Sequence, residues 1–152
     1  MSRPDWPHDE NCLFCKIVGG SIPSAKIYED EHVYAFMDIN PVNKGHCLVI
    51  PKGHWANLLE MPDDLCGPVL SAVKRVADGV MGATGAEGFN CLQNNHAVAG
   101  QVIFHAHWHI LPRYSDDGLT LWVGRKCDNL DELQQLAVSI KARITQGEEP
   151  NE

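Results

Sequence analysis

The stretch Ile103-Phe104-His105-Ala106-His107-Trp108-His109-Ile110-Leu111-Pro112-Arg113 sets three histidines at strict alternation among apolar residues. On a strand, successive side chains point to opposite faces. The three imidazoles then share one face, and Ala106, Trp108 and Ile110 take the other. Neighbouring histidines fall roughly 7 Å apart at Cα. Three chemistries compete for such a row. It can be the polar face of a half-exposed strand, although threonine, lysine or glutamate would serve solubility as well. It can hold a catalytic metal, but a strand stretches the third imidazole beyond easy reach of one ion. Or it can act on phosphate, because neutral imidazole is a nucleophile near pH 7 and a neighbouring imidazole can donate to a phosphate oxygen.

The phosphate reading needs an anion-binding loop, and Gln93-Asn94-Asn95-His96-Ala97-Val98-Ala99-Gly100-Gln101 lies directly upstream. Gly100 lets the backbone approach a ligand and aim N–H groups at it, while Asn94 and Gln101 add side-chain donors. Near the N-terminus, Cys12-Leu13-Phe14-Cys15 has metal-chelate spacing. A redox disulfide is the usual rival in a thioredoxin-like βαβ setting, and no such pattern follows here.

The elements that position these groups are legible in outline. CLFCKIVGG suggests a helical turn stopped by Gly19 and Gly20. KIYEDEHVYAFMDI alternates about Glu29-Asp30-Glu31 as a hairpin ending near Asp38. CLVIP (47–51) is a compact apolar strand, GFNCLQN (88–94) another, and the histidine run a further one. Between them, Leu65, Val69, Val73, Val76 and Val80 recur at helical spacing, with Pro62 at the entry and Gly82 at the exit. Asp128 is expected to cap a second helix carrying Leu130, Leu133, Ala137, Ile140 and Ile144 on one face. Antiparallel strands with two main helices predict an α+β domain with a sheet of about five strands.

At 152 residues, 44% hydrophobic and 21% charged, the chain reads as one ordinary domain. Residues 1–11 and 147–152 read as flexible tails. No 18-residue apolar run suggests a membrane span. MSRPDWPHDE lacks the apolar core of a signal peptide, so a cytoplasmic location is expected. The six cysteines are then thiols or metal ligands, with Cys47, Cys66, Cys91 and Cys127 expected as small buried apolar groups. A net charge of −8 without a basic stripe argues against nucleic acid as partner.

HAHWHIL (105–111) resembles the histidine triad (HIT) pattern, in which three histidines alternate with apolar residues. Residues 12–54 look like the N-terminal half of its Hint-like branch, in the bacterial type with a CxxC zinc site. Residues 99–113 look like its active-site strand. The resemblance covers 12–113 as a HIT domain and leaves 114–146 as a C-terminal extension with a helix. It implies a HIT-like fold and a homodimer whose sheet continues from one protomer into the other. It also implies a nucleotide hydrolase or transferase cleaving at the α-phosphate of a purine nucleoside phosphoramidate or phosphoanhydride, such as an AMP or GMP conjugate.

Carried over residue by residue, the resemblance makes His107 the nucleophile that forms a nucleotidyl-histidine, and His109 a donor to a phosphate oxygen. Asn94, Gln101 and the backbone at Gly100 complete the phosphate pocket, Asp38 accepts from the ribose hydroxyls, and His46 stands close behind. Many members carry serine where this chain has Val102, which puts the leaving-group side in question. Cys12, Cys15, His54 and His105 correspond to a structural zinc set, with no cofactor needed for catalysis. Trp55 and Trp122 are candidates for exposed apolar surface. Two other readings stand beside the hydrolase: a nucleotide-binding interaction module with little turnover, and a metallohydrolase using a histidine-bound ion directly.

Overall fold

The computed structural model describes residues 5–147, which form two compact units meeting at Asp117 and Gly118. The first is built on a five-stranded antiparallel sheet of β1 (Lys26–Glu29), β2 (Val33–Met37), β3 (Cys47–Pro51), β4 (Gly88–Gln93) and β5 (Trp108–Arg113), in the order β1-β2-β3-β5-β4. A short helix α1 (Leu13–Val18) precedes the sheet, and the long helix α2 (Asp63–Thr84) joins β3 to β4.

The central strands β2 and β3 are buried on both faces, which explains why β2 reads VYAFM without polar alternation. Val33, Ala35, Cys47, Val49 and Ile110 pack on one face against Leu65, Val69, Val73, Val76 and Val80 of α2. Tyr34, Phe36, Leu48 and Ile50 point the other way and pack against Phe14 and Ile17 of α1. Each fully buried aliphatic side chain contributes about 1.5–3 kcal/mol relative to exposure, so both faces stabilise the sheet.

The helix runs 22 residues, about 33 Å. Asp63 and Asp64 in its first turn complement the positive end of the helix dipole. Two expectations about its ends are corrected. Pro62 is the residue before the first turn rather than within it, and the chain passes through Gly82 without leaving the helix. The exit is Gly85, whose φ of 69° makes the left-handed turn while its N–H donates to the Met81 carbonyl.

The histidine run departs from the expected continuous strand. β5 begins only at Trp108, opposite Val49 of β3 and Gln93 of β4. Before it, residues 103–105 bend, and Ala106 donates its N–H to the Trp55 carbonyl at 2.7 Å instead of joining a ladder. β4 ends at Gln93, opposite Trp108, while β3 runs two residues further, to Pro51, paired with β2 alone. The alternation nonetheless survives: Ala106 is fully buried in the cluster on the α2 side, and the histidines take the opposite side.

Residues 5–11, expected as the end of a tail, are folded onto the body. Trp6 packs edge-on to Trp55 and near His32, and the Pro7 carbonyl accepts from the His54 N–H at 2.7 Å. Trp55 is thereby half-buried, while Trp122 is exposed. Of the four scattered cysteines only Cys47 is buried. Cys66, Cys91 and Cys127 are exposed, because they fall on solvent-facing positions of α2, β4 and the later segment. The predicted tails at 1–4 and 148–152 lie outside the described residues.

In the second unit, α3 (Leu130–Gln146) is capped by Asn129 rather than Asp128. The Asn129 Oδ1 accepts from the Glu132 N–H at 3.2 Å. No helix among the described residues is long and apolar enough to cross a membrane.

Candidate active site and metal centre

His107 sits where the bend meets β5, buried, with its Nδ1 donating to the His105 carbonyl at 2.7 Å. That contact fixes the ring proton on Nδ1 and leaves the Nε2 lone pair free. Burial holds the imidazolium of His107 below the ordinary histidine range, against the His105 carbonyl that favours it. The ring is therefore neutral at pH 7. Its edge is fixed by Phe14 of α1, whose ring stands at 86° to it with centroids 5.2 Å apart.

His109, on β5 beside Leu48 and Leu92, stands edge-on to His107 with ring centroids 4.9 Å apart. Its tautomer can be read through a chain of contacts. The Val42 backbone N–H donates to His46 Nδ1 at 3.1 Å, so His46 carries its proton on Nε2. His46 Nε2 lies 2.9 Å from His109 Nδ1 and donates to it, which puts the proton of His109 on its own Nε2. Burial, reinforced by the neighbouring His107 and His46, pushes His109 down to about 4. His46 is likewise lowered by burial, with Asp38 opposing. His107 thus offers a lone pair and its neighbour an N–H.

Asp38, at the end of β2, has one carboxylate oxygen accepting from the Asn40 N–H at 2.8 Å and the other 3.6 Å from His46 Nε2. Asp38, His46 and His109 converge closely enough to suggest a second ion site. The distances speak for hydrogen bonds instead. Two nitrogens on one tetrahedral ion stand about 3.3 Å apart for bonds near 2.0 Å, and His46 Nδ1 is already occupied by Val42.

These groups open on a cavity of about 450 Å³ that includes Asp38, Gly100, Val102, His107 and His109. Its apolar lining, a slot of Leu13, Phe14, Ile17, Ile22, Phe36 and Leu48, was missed by sequence reasoning. The signal was present in the apolar pair between Cys12 and Cys15 and in the doubly buried β2. A second cavity of about 330 Å³ lies between β1, β2 and α2. It is apolar, with Arg75 as its one charged group, and contains none of the histidines.

The upstream loop is built differently from expectation. Gln101 is buried, and its amide donates to the Ala56 and Ile103 carbonyls while its oxygen accepts from the His96 N–H. Both amide protons are committed, so Gln101 braces the loop and has no donor left for a ligand. His96 (φ 69°, ψ 154°) and Gly100 (φ 93°, ψ 10°) are the two positive-φ positions that shape the loop, and Gly100 makes its left-handed turn. Asn94 lies beside Gly100, where an added Cβ would come 3.5 Å from its amide nitrogen, but it does not line the cavity.

On the far side of His105 stand Cys12, Cys15 and His54, whose ligand atoms and that of His105 all lie within 4.8 Å of one another. His105 Nε2 donates to the Pro51 carbonyl at 2.9 Å, which leaves Nδ1 as the lone-pair atom facing the thiols. Its separations from Cys12 Sγ and Cys15 Sγ are 3.5 and 3.6 Å, and His54 Nδ1 is 3.4 Å from Cys15 Sγ. Zinc bonds of about 2.3 Å to sulfur and 2.0–2.1 Å to nitrogen at the tetrahedral angle place sulfur and nitrogen about 3.5 Å apart. The residues fit such an ion. Burial raises the Cys15 thiol to about 11, so without a bound cation it stays protonated.

A family model described as the HIT domain matches residues 19–116. A crystal structure of a HIT family member from Bacillus subtilis superposes with a TM-score of 0.84 at 47% identity, covering 88% of this chain and 97% of that one. An adenosine 5′-monophosphoramidase of Candida albicans is 37% identical over 140 residues, 88% of this chain and 91% of the relative. A zinc-bound histidine triad family protein from Mycobacterium smegmatis matches with a TM-score of 0.69 and 33% identity, covering 91% of this chain and 98% of its own.

Proposed function

The chain belongs to the HIT domain family, and on that premise we propose that it is a hydrolase or transferase of purine nucleotide conjugates, cleaving P–N or P–O bonds at the α-phosphate. The observation that carries the reading is the pairing of His107 and His109. One ring is held with a free lone pair and its neighbour with a free N–H, at the floor of a cavity that also offers a carboxylate and an apolar slot.

In this reading the purine enters the slot beside Phe14 and Phe36, and Asp38 accepts from the ribose hydroxyls. His107 Nε2 attacks the α-phosphorus, the bond to the leaving group breaks, and its electron pair departs with that group. The ring becomes a nucleotidyl-imidazolium, its charge supported by the His105 carbonyl on Nδ1. His109 Nε2–H stabilises the phosphoryl oxygens as charge builds, and Gly100, whose own N–H is held by the Ala97 carbonyl, lets the loop pass close to them without a side chain. Water then attacks phosphorus, the N–P bond breaks back onto His107, and the proton of the water is released with the nucleoside monophosphate. Gln101, Asn94 and His46 position this machinery. The Candida albicans relative supports the substrate class.

Cys12, Cys15, His54 and His105 would hold a structural zinc that pins α1 to the histidine segment, and the zinc-bound Mycobacterium smegmatis protein supports this. Its coordination sphere is closed by four protein ligands, so the ion supplies rigidity. β4 has a neighbour on one side only, which suits a homodimer with a continuous sheet. Exposed thiols at Cys66, Cys91 and Cys127 suit a reducing compartment, in line with a cytoplasmic location.

The test is nucleoside monophosphate release by wild type and His107→Ala, with folding and metal content matched. Many turnovers in wild type and a loss of several orders of magnitude in the variant are expected. That loss corresponds to roughly 4–8 kcal/mol of transition-state stabilisation. Equal slow release by both would point to a binding module instead.

A further inference from the structure

Away from the histidines, the cavity of about 330 Å³ between β1, β2 and α2 takes no part in the chemistry proposed for them, and its volume falls within the range of small-molecule sites. Local irregularity builds it. Lys26 lies opposite Phe36 and Tyr28 opposite Ala35, so Ile27 is an extra residue in β1. On a regular strand neighbours alternate faces, whereas at this bulge Ile27 and Tyr28 both line the cavity. From the other wall α2 contributes the small Gly79 and Ala83, and a Cβ built at Gly79 would meet no atom within 4 Å.

The side-chain donors of the wall are engaged within the protein, with one exception. The Tyr28 hydroxyl donates to Asp30 Oδ2 at 2.9 Å. The Thr84 hydroxyl donates to the Val80 carbonyl at 2.7 Å and accepts from the Ala86 N–H at 3.2 Å, while its methyl group faces Gly45. The exception is Arg75. It is exposed, its charge reaches the Tyr28 phenol, and no hydrogen bond or ion pair among the described residues holds its guanidinium. An apolar wall with one uncommitted cation specifies an occupant with a hydrocarbon body, to displace water along Ile27, Val76 and Val80, and a single negative charge to meet Arg75. The guanidinium fork matches a carboxylate. We propose that this cavity is a second binding site, for a small amphiphilic carboxylate with a medium-length alkyl body. The net charge of −8 disfavours an anion at long range, but physiological salt screens it beyond about 8 Å, so the guanidinium at the site decides.

The experiment titrates decanoate into the full chain and follows side-chain methyls by NMR, with decanol as the uncharged control. Saturable shifts at Ile27, Val76, Val80 and Ala83 are expected, with a Kd below about 1 mM for a ligand of about a dozen non-hydrogen atoms. An exposed guanidinium contributes modestly, so Arg75→Gln is expected to weaken decanoate by about fivefold and to leave decanol unchanged. Gly79→Leu is expected to abolish binding of both without lowering the melting temperature, since leucine is the better helix former. Shifts confined to Ile17, Ile22 and Leu48 overturn the proposal, because the probe has then chosen the histidine cavity. Absence of saturable shifts anywhere overturns it as well. Equal affinity for decanoate and decanol, or indifference to Arg75→Gln, overturns the carboxylate as ligand. Undiminished binding by a folded Gly79→Leu protein overturns the location. Shifts at the same four methyls that grow with protein concentration alone, before any probe is added, assign this face to a second copy of the chain and overturn the proposal.

Discussion

Replacing His46 separates two things the buried network does, satisfying hydrogen bonds and dictating where the proton of His109 sits. His46 accepts from Val42 N–H at 3.1 Å and donates to His109 Nδ1 at 2.9 Å, and it is 4% exposed. His46→Leu leaves both partners without that mate. Each unsatisfied buried group costs about 1–3 kcal/mol. If one such increment falls on the transition state, the rate drops by about 5–150-fold at 1.4 kcal/mol per decade. His46→Gln carries an acceptor and a donor on one amide and can keep the same direction of donation. It is therefore expected to recover most of that loss. The assay is single-turnover nucleotide release, with nitrogen NMR reporting the tautomer of His109. A His46→Leu variant within threefold of wild type, with His109 still protonated on Nε2, would refute this role of His46. A glutamine variant as impaired as the leucine one would refute it equally.

Three further outcomes follow from the same geometry. Chelation, or Cys15→Ser, should lower the melting temperature markedly while metal-loaded wild type is unaffected by added chelator-free buffer. An apo protein that melts where the loaded protein does would remove the metal from the account of stability. The folded His109 titrates near 4 and an unfolded histidine near 6.5, so the unfolded chain takes up its proton first as pH falls. Stability should be fully present above about pH 6.5 and decline between there and about 4, with a shallower slope in His109→Asn; equal slopes in a thermal series would contradict this. Ala106 is fully buried beside α2, so Ala106→Leu should overpack the site and cost about 1–3 kcal/mol. A urea midpoint equal to wild type at unchanged slope would count against that packing.

The periodicity of α2 was legible because five apolar residues fall on one face and all five are buried, and β3 was legible because CLVIP is bounded by its own chemistry. The limits of α2 were less so. Gly82 and Gly85 look alike as letters, and which one turns left-handed depends on the packing of the last turn. His105, His107 and His109 could be assigned to one face from alternation alone, but not the bend ahead of Trp108, the residue opposite which β4 ends. Gln101 illustrates the limit for the site. An amide beside a glycine reads as a ligand donor, and only the folded positions of the nearby His96 and Ile103 and of the distant Ala56 show it already engaged. The direction of donation through Val42, His46 and His109 is likewise a property of folded geometry that no spacing encodes.

The late start of β5 carries a consequence for how such a nucleophile can exist at all. Within a central strand, backbone carbonyls are committed to neighbouring strands on either side, and a side chain has little left to bind. Because the ladder stops at Trp108, the His105 carbonyl has no neighbouring strand to serve and can receive the ring of His107 two residues on. Perfect regularity across 105–109 would have left that imidazole free to choose between its two protonation patterns. The interruption is thus what gives the ring a single orientation and a single reactive nitrogen: local disorder of the lattice, in the crystallographer's sense of a broken repeat, is the source of chemical definition.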